Sequence, residues 1–131
     1  MSRVLALDHG AARCGAAVSD PSGTLATPLT TVPQPDSPAG LEAIADLVRE
    51  TGAELVVVGL PLTLSGEEGA QAAAARAFAG RVAKAAGVLV ELQDERLTTT
   101  EARRSGGAAG VDERAAARIL ESWLESRRAE P

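Results

Sequence analysis

The sequence contains few aromatic residues, one cysteine and one histidine, and each shortage excludes a class of structure or site. Phe78 and Trp123 are the only Phe, Trp or Tyr among 131 residues, so the core must be built from aliphatic side chains. Cys14 is the single cysteine, which excludes an internal disulfide and argues against a thiolate metal site. Because His9 is the only histidine, a metal site built on a histidine pair is excluded as well.

Long apolar runs and a strong positive charge are also missing. The longest apolar runs fall far short of the ~20 residues that cross a bilayer, and no basic-then-apolar leader precedes the first strand. We therefore expect a cytoplasmic protein without membrane contact, folded as a single domain over residues 1–131. The net charge of −5 is not typical of a nucleic-acid binder. A modest, salt-sensitive basic face remains available from late arginines, namely Arg96, Arg103, Arg104, Arg114 and Arg118.

The hydrophobic pattern predicts an α/β fold with five strands in the order β-β-β-α-β-α-β-α-α. The first three strands are joined by short turns and form an antiparallel meander, whereas the last two alternate with helices and should be parallel. Pro28 cannot donate to a strand ladder, so the third strand should lie at an edge. The predicted result is one mixed five-stranded sheet with helices on both faces. The predicted strands are 3–10, 14–19, 24–32, 54–60 and 88–93, and the predicted long helices are 38–51, about 67–86 and about 112–128.

Local signals define the helix ends. Ser37 caps the first helix, Pro38 occupies its first position and Gly52 ends it. Ser65 and Glu68 have the spacing of a capping box for the second helix, which Gly87 closes. Thr98 and Glu101 repeat this spacing and predict a short helix, and residues 105–110 have the composition of a flexible linker.

Three acidic residues stand at the ends of predicted elements. Asp8 follows the apolar run Val4–Leu7, Glu95 follows the fifth strand, and Asp112 opens the last helix on the face of Ala116. Parallel strands would bring the first two acids to one sheet edge. Crowded carboxylates repel each other unless a cation neutralises them, and oxygen ligands favour Mg²⁺ or Mn²⁺. Two such ions can hold a phosphodiester and activate water.

Simpler interpretations exist for each of these residues. In these interpretations Asp112 is a helix cap without a catalytic role, and Glu95 pairs with Arg96 on the surface. His9 has the context of a loop residue, and Cys14 that of a small core residue.

The glycines around the fourth strand are a second candidate for chemistry. Gly59, Gly66 and Gly69 are spaced as in a phosphate-cradling loop, but the Gly-Lys-Ser/Thr ending of a P-loop is absent.

Four motifs, in order and across nearly the whole chain, resemble those of one protein family. Residues 8–15 (DHGAARCG) are similar to the D-x-G-x-x-R-x-G opening of the YqgF (RuvX) proteins, and Val58–Pro61 with Gly66 match their VGLP loop. Residues 94–99 (DERLTT) and the closing helix 111–120 (V-D-x-x-A-A-x-x-I-L) complete the set. The resemblance implies a ribonuclease H-like fold and a nuclease related to Holliday-junction resolvases, which processes the 5′ end of precursor 16S rRNA in the bacterial cytoplasm.

The resemblance also assigns roles by position. It implies that Asp8, Glu95 and Asp112 are the catalytic acids and bind Mg²⁺ or Mn²⁺. It further implies that Arg13 and Arg96 contact phosphate or hold the site together.

Gly10 lies within the opening motif. Since it lets the backbone approach a ligand closely, we expect it to contribute to substrate binding.

Two departures from the family pattern weaken the expected grip on substrate. Ala11 and Ala12 stand where relatives often have Thr and Lys, and the segment between Ala102 and Asp112 is short and rich in Gly and Ala. We therefore expect weak intrinsic binding of RNA, or dependence on a ribosomal factor.

Other functions compete with an RNA nuclease. A resolvase of branched DNA would require a homodimer to match a two-fold junction. A non-catalytic nucleic-acid or ribosome-binding module is a third hypothesis, although it would gain nothing from crowded carboxylates. An actin-like ATPase is disfavoured because the chain lacks a second lobe to close over ATP.

Overall fold

The computed structural model describes residues 3–95 and 111–128, which form five strands and three helices. Three features of the sequence analysis lie outside the described residues, namely Arg96, the predicted short helix from Thr98 and the predicted linker 105–110. None of the described helices combines the length and apolar character needed to span a bilayer. The elements in chain order are β1 (Arg3–His9), β2 (Arg13–Ser19), β3 (Ala26–Pro33), α1 (Pro38–Thr51), β4 (Ala53–Leu60), α2 (Ala70–Ala86), β5 (Leu89–Asp94) and α3 (Val111–Arg128).

The strands form one mixed sheet in the order β3-β2-β1-β4-β5. The pairs β1·β2 and β2·β3 are antiparallel, and the pairs β1·β4 and β4·β5 are parallel, which confirms the predicted meander and the two parallel strands. Pro28 lies in the edge strand β3, as predicted. The register shifts between Ala16, which faces Thr30, and Ala17, which faces Pro28, so Leu29 is a bulge residue next to the proline.

Helices cover both faces of the sheet. Leu5 and Leu7 of β1 belong to the core that packs under α1 and α2. Val4 and Ala6 belong to a second core under α3, together with Ala116 and other residues of that helix. This alternation follows from the period of two along a strand, and it assigns even-numbered positions of β1 to the α3 face.

The ends of α1 are those that the sequence predicts. The Ser37 hydroxyl accepts a hydrogen bond from the Gly40 backbone N–H (3.0 Å), and Pro38 is the first helical residue. Gly52 ends the helix in the left-handed conformation (φ 72°), and its N–H donates to the carbonyls of Val48 and Arg49. Gly87 closes α2 in the same way, with φ 68°.

The predicted start of α2 is wrong. The helix begins at Ala70 rather than near Glu67, its N-cap is Gly69, and no side chain caps it. The two capping-box residues are engaged elsewhere: Ser65 bonds to the Thr63 hydroxyl (3.0 Å), and Glu68 accepts from Arg76 Nε (2.7 Å). Ser65 is therefore engaged within the loop and Glu68 by a residue of α2, and neither side chain caps the helix.

The predicted strand bounds differ by one or two residues. Strand β3 starts at Ala26 rather than Thr24 because the Asp20 carboxylate holds the preceding turn, accepting from the backbone N–H groups of Thr24 (2.8 Å) and Leu25 (2.9 Å). Strand β1 ends at His9, β2 begins at Arg13, and β5 extends to Asp94.

Candidate active site

Asp8 lies near the carboxyl end of β1, on the sheet face that α3 covers. It follows Ala6 by two residues, and Ala6 packs in the core beneath α3. Its Cα pairs with that of Gly15 in β2. The residue is partly exposed, in contrast to the fully buried Ala6 and Leu7 that precede it. The strand therefore delivers a carboxylate to the rim of the core, as the sequence predicts.

Gly15 brings the start of α3 to Asp8. A Cβ built on Gly15 would overlap the backbone carbonyl group of Asp112 and would lie 2.8 Å from the Glu113 nitrogen. The backbone of the first helical turn thus occupies the space that a side chain at position 15 would need. Since Gly15 is paired with Asp8, this close approach places Asp112 beside the end of β1.

Gly59 of β4 allows a similar close approach on the other side of β1. Val58 of β4 pairs with Leu7, so Gly59 lies one step further along, beside Asp8. A Cβ on Gly59 would overlap the Glu95 carboxylate, whose Cδ would lie 2.9 Å away. Glu95 is only 6% exposed, and its backbone N–H donates to the Leu60 carbonyl (3.2 Å). The three predicted acids are therefore carried to one edge of the sheet by β1, by the end of β5 and by α3.

Glycine inside a strand is the sequence signal that could have found these two contacts. Such a glycine often marks the close approach of another part of the backbone. Gly59 is a buried residue of β4, inside the predicted strand 54–60, and its open side receives Glu95 and not a phosphate-cradling turn.

Arg13 is the basic residue that the structure brings to this edge. Its Nε lies 2.5 Å from Asp112 Oδ2, and the side chains of Arg13 and Asp112 are 66% and 28% exposed. Arg13 lies two residues before Gly15 and so shares its sheet face. The other acid in the first turn of α3, Glu113, accepts a hydrogen bond from the Thr31 hydroxyl (3.0 Å).

Gly10 closes the turn between β1 and β2. Its N–H donates to the Arg13 carbonyl (2.9 Å), and a Cβ on Gly10 would lie 2.9 Å from the same oxygen. This tight turn fixes the backbone of Arg13 and therefore sets the point from which the Arg13 side chain extends.

His9 and Cys14 lie on the opposite sheet face from Asp8. The imidazole of His9 stacks on Phe78 with ring centroids 4.4 Å apart, and its Nε2 lies 2.6 Å from the Asp36 carboxylate. The sequence interpretation of His9 as a loop residue is wrong, because it is the last residue of β1. Cys14 is fully buried, as predicted, and its burial raises the pKa of the thiol, assisted by the negative charges of Asp8 and Asp112.

The donor set suits a hard divalent cation, although the side chains do not yet form a closed site. Three carboxylates without a thiolate or histidine are the ligands that Mg²⁺ and Mn²⁺ prefer. Within residues 3–95 and 111–128, no three His, Cys, Asp or Glu side chains are arranged so that they could hold a metal ion. The Asp112 carboxylate is instead engaged by Arg13. The backbone thus brings three carboxylate residues to one edge of the sheet, where the Asp112 side chain is turned toward Arg13.

Solved structures share this architecture. RuvC of Thermus thermophilus in complex with a Holliday junction substrate superposes with a TM-score of 0.60, covering 98% of this chain and 97% of RuvC. A second structure of RuvC from this organism gives a TM-score of 0.57. The sequence identity is 19% in both cases, so this likeness establishes the fold, which is ribonuclease H-like.

Sequence relatives are much closer. A protein of Anaeromyxobacter sp. (strain Fw109-5) is 47% identical over 136 residues, covering 97% of this chain and 99% of the relative. A protein of Nocardia farcinica is 45% identical over 143 residues, covering 97% of this chain and 79% of the relative. Both carry the name "Putative pre-16S rRNA nuclease". The family model described as "RuvX: Holliday junction resolvase" matches residues 2–126. The chain therefore belongs to the RuvX family.

Proposed function

We propose that this protein is a nuclease that hydrolyses phosphodiester bonds of RNA and takes part in processing the 5′ end of precursor 16S rRNA. One observation carries the proposal: Gly15 and Gly59 flank Asp8 and admit Asp112 and Glu95 to the same edge of the sheet. Crowded acids are costly unless they serve a cation, so a binding module would not need them. The names of the close relatives support the choice of RNA as substrate.

Asp8, Glu95 and Asp112 are the proposed ligands of Mg²⁺ or Mn²⁺ and the proposed catalytic acids. The bound cation supplies Lewis acidity, which activates water and neutralises charge on the phosphate. Glu95 is buried with its carboxylate against Gly59 of β4, whereas Asp112 is more exposed and pairs with Arg13.

Arg13 is the proposed phosphate contact within the described residues, and Gly10 positions it. By resemblance, Arg96 has a similar role, although it lies outside the described residues. The net charge of −5 leaves little general attraction for RNA, so we expect a ribosomal factor to hold the substrate in place in the cytoplasm. Nanomolar affinity for naked RNA would contradict this dependence.

Resolution of branched DNA is the second candidate function. It is favoured by the description of the family model and by the likeness of the fold to RuvC. Two strands of a junction must be cut symmetrically, so this function requires a homodimer. Cleavage by a monomer would argue against it.

Cleavage assays with matched variants test both candidates. Labelled RNA carrying a 16S leader and labelled four-way DNA junctions are incubated with Mg²⁺ or Mn²⁺ and with wild type, Asp8→Asn or Asp46→Asn. Asp46 is an exposed acid of α1 paired with Arg49, so its variant controls for the loss of one charge. We expect Asp8→Asn to reduce RNA cleavage by at least about a hundredfold and Asp46→Asn to leave it unchanged.

The other outcomes discriminate among the alternatives. Cleavage of junctions but not of RNA would support the resolvase. Equal cleavage by wild type and Asp8→Asn would contradict the assignment of the site. Binding of nucleic acid without cleavage, in the presence of ribosomal extract, would favour the non-catalytic module.

A further inference from the structure

The ion pair between Arg13 and Asp112 occupies the carboxylate that the proposed cation would need. Arg13 Nε lies 2.5 Å from Asp112 Oδ2, which is a short charge-assisted contact. The two residues come from distant parts of the chain and meet because Gly15 admits the first turn of α3. A guanidinium and a divalent cation both require this oxygen, so the two partners compete for it.

The backbone around Arg13 is fixed, but its side chain is not enclosed. The Gly10 N–H donates to the Arg13 carbonyl (2.9 Å), and the Gln34 N–H donates to the Ala12 carbonyl (2.9 Å). The side chain of Arg13 is 66% exposed. Its guanidinium can therefore rotate between two partners at the same sheet edge without moving the strand.

We propose that Arg13 is an exchangeable counter-ion of Asp112, an inference that rests on the proposed nuclease function. Without a divalent cation, Arg13 neutralises the Asp112 carboxylate and is not available to nucleic acid. When the cation takes that carboxylate, Arg13 is released and pairs with a phosphate of the substrate. Cation and nucleic acid then bind with positive coupling, because each favours the arrangement that the other requires.

The energy of the ion pair and the geometry of the guanidinium both permit this exchange. The Arg13 side chain is 66% exposed and that of Asp112 is 28% exposed, so solvent weakens the ion pair and breaking it costs little. Arginine presents a planar fork of donors that matches two oxygens of a phosphate as well as it matches a carboxylate.

A double-mutant cycle in metal-free buffer tests the exchange without any cleavage. Binding of a fluorescent RNA is measured by anisotropy in EDTA at low salt for wild type, Asp112→Asn, Arg13→Ala and the double variant. We expect Asp112→Asn to release Arg13 and tighten binding roughly three- to fivefold, the range that one exposed charge pair supplies. In the Arg13→Ala background the same substitution should produce no such gain.

Glu113→Gln is the matched control for loss of a charge. Glu113 is adjacent to Asp112, and a glutamine can still accept the hydrogen bond from the Thr31 hydroxyl. A gain from Glu113→Gln equal to that from Asp112→Asn, or a gain from Asp112→Asn that persists without Arg13, would reduce the effect to net charge and overturn the proposal. Circular dichroism is recorded for each variant to check that it is folded.

Titration of Mn²⁺ without RNA supplies a second readout. Arg13→Ala should tighten cation binding about threefold by removing the competitor, whereas Arg118→Ala, which removes an exposed arginine of α3, should have no effect. Unchanged or weaker cation binding by Arg13→Ala would contradict the exchange. Neither readout involves hydrolysis, so a failed cleavage assay and a failed exchange are separate results.

Discussion

Replacing Gly15 with alanine is the most direct test of how the candidate site is assembled. The added Cβ would overlap the Asp112 carbonyl group and would lie 2.8 Å from the Glu113 nitrogen. Ordinary van der Waals contact begins near 3.4 Å, so relief of the nitrogen contact alone requires a shift of about 0.6 Å. The overlap with the carbonyl requires more. Because the obstructing atoms are backbone, the first turn of α3 must move as a unit.

The expected cost has a structural and a functional part. Overpacking of this kind destabilises a protein by roughly 1–3 kcal/mol. Displacement of a catalytic group by about 1 Å costs on the order of a hundredfold in rate. We therefore expect Gly15→Ala to lose about 1–3 kcal/mol in urea unfolding and about a hundredfold in cleavage rate.

Two other glycines provide comparison variants. Gly80 lies in α2 with no atom within 4 Å of a Cβ, so Gly80→Ala should leave cleavage unchanged and raise stability by about 0.5–1 kcal/mol through helix propensity. At Gly59 the three atoms nearest to the Cβ belong to the Glu95 and Ile119 side chains and not to the backbone, so the overlap can be relieved without moving a helix. Gly59→Ala should therefore cost less stability than Gly15→Ala while still impairing cleavage. Wild-type stability and cleavage in Gly15→Ala would refute the reasoning.

Two further predictions concern titratable groups. Burial, followed by the negative charge of Asp8, raises the pKa of the Cys14 thiol. Because the thiolate is the reactive form, the native protein at pH 8 should resist Ellman's reagent and should react fully once it is unfolded in urea. Rapid labelling of the native protein would contradict this prediction. Hydrogen bonds from the backbone of Leu25, and also from Ser22 and Thr24, lower the pKa of Asp20 to about 2 from 3.8. A lowered pKa stabilises the fold above the unfolded value and loses this effect as pH falls. The stability difference between wild type and Asp20→Ala, measured in urea, should therefore shrink between pH 4 and pH 2, and a constant difference would argue against the carboxylate's role.

The parts of the fold that the sequence predicts correctly depend on local chemistry. Pro28 identifies the edge strand because its missing N–H is a property of one residue. Ser37 and Gly52 define α1 because cap geometry involves only neighbouring residues. At α2 two local patterns compete, and the capping pattern at Ser65 loses to the hydrogen bond between the Ser65 and Thr63 hydroxyls.

The sequence identifies the residues of the candidate site but does not predict the contacts between them. Asp8, Glu95 and Asp112 can be selected because each stands at the end of an element, and the resemblance selects the same three. The pairing of Arg13 with Asp112 spans nearly a hundred residues, and no local pattern encodes it. It depends on how closely α3 approaches β2, which is a tertiary property.

The scarcity of aromatic residues is directly linked to this close approach. Where α3 begins, it meets the sheet through backbone and small side chains, among them Gly15, Ala17 and Ala116. Where α3 ends, Trp123 and Leu124 stand between helix and sheet and line an open cavity of about 790 Å³. The first turn of α3 thus packs on the sheet through small residues, whereas larger side chains fill the interface near the end of the helix. A larger side chain under the first turn would lift Asp112 away from Asp8, so the alanine- and glycine-rich composition is a requirement of the site as well as of the core.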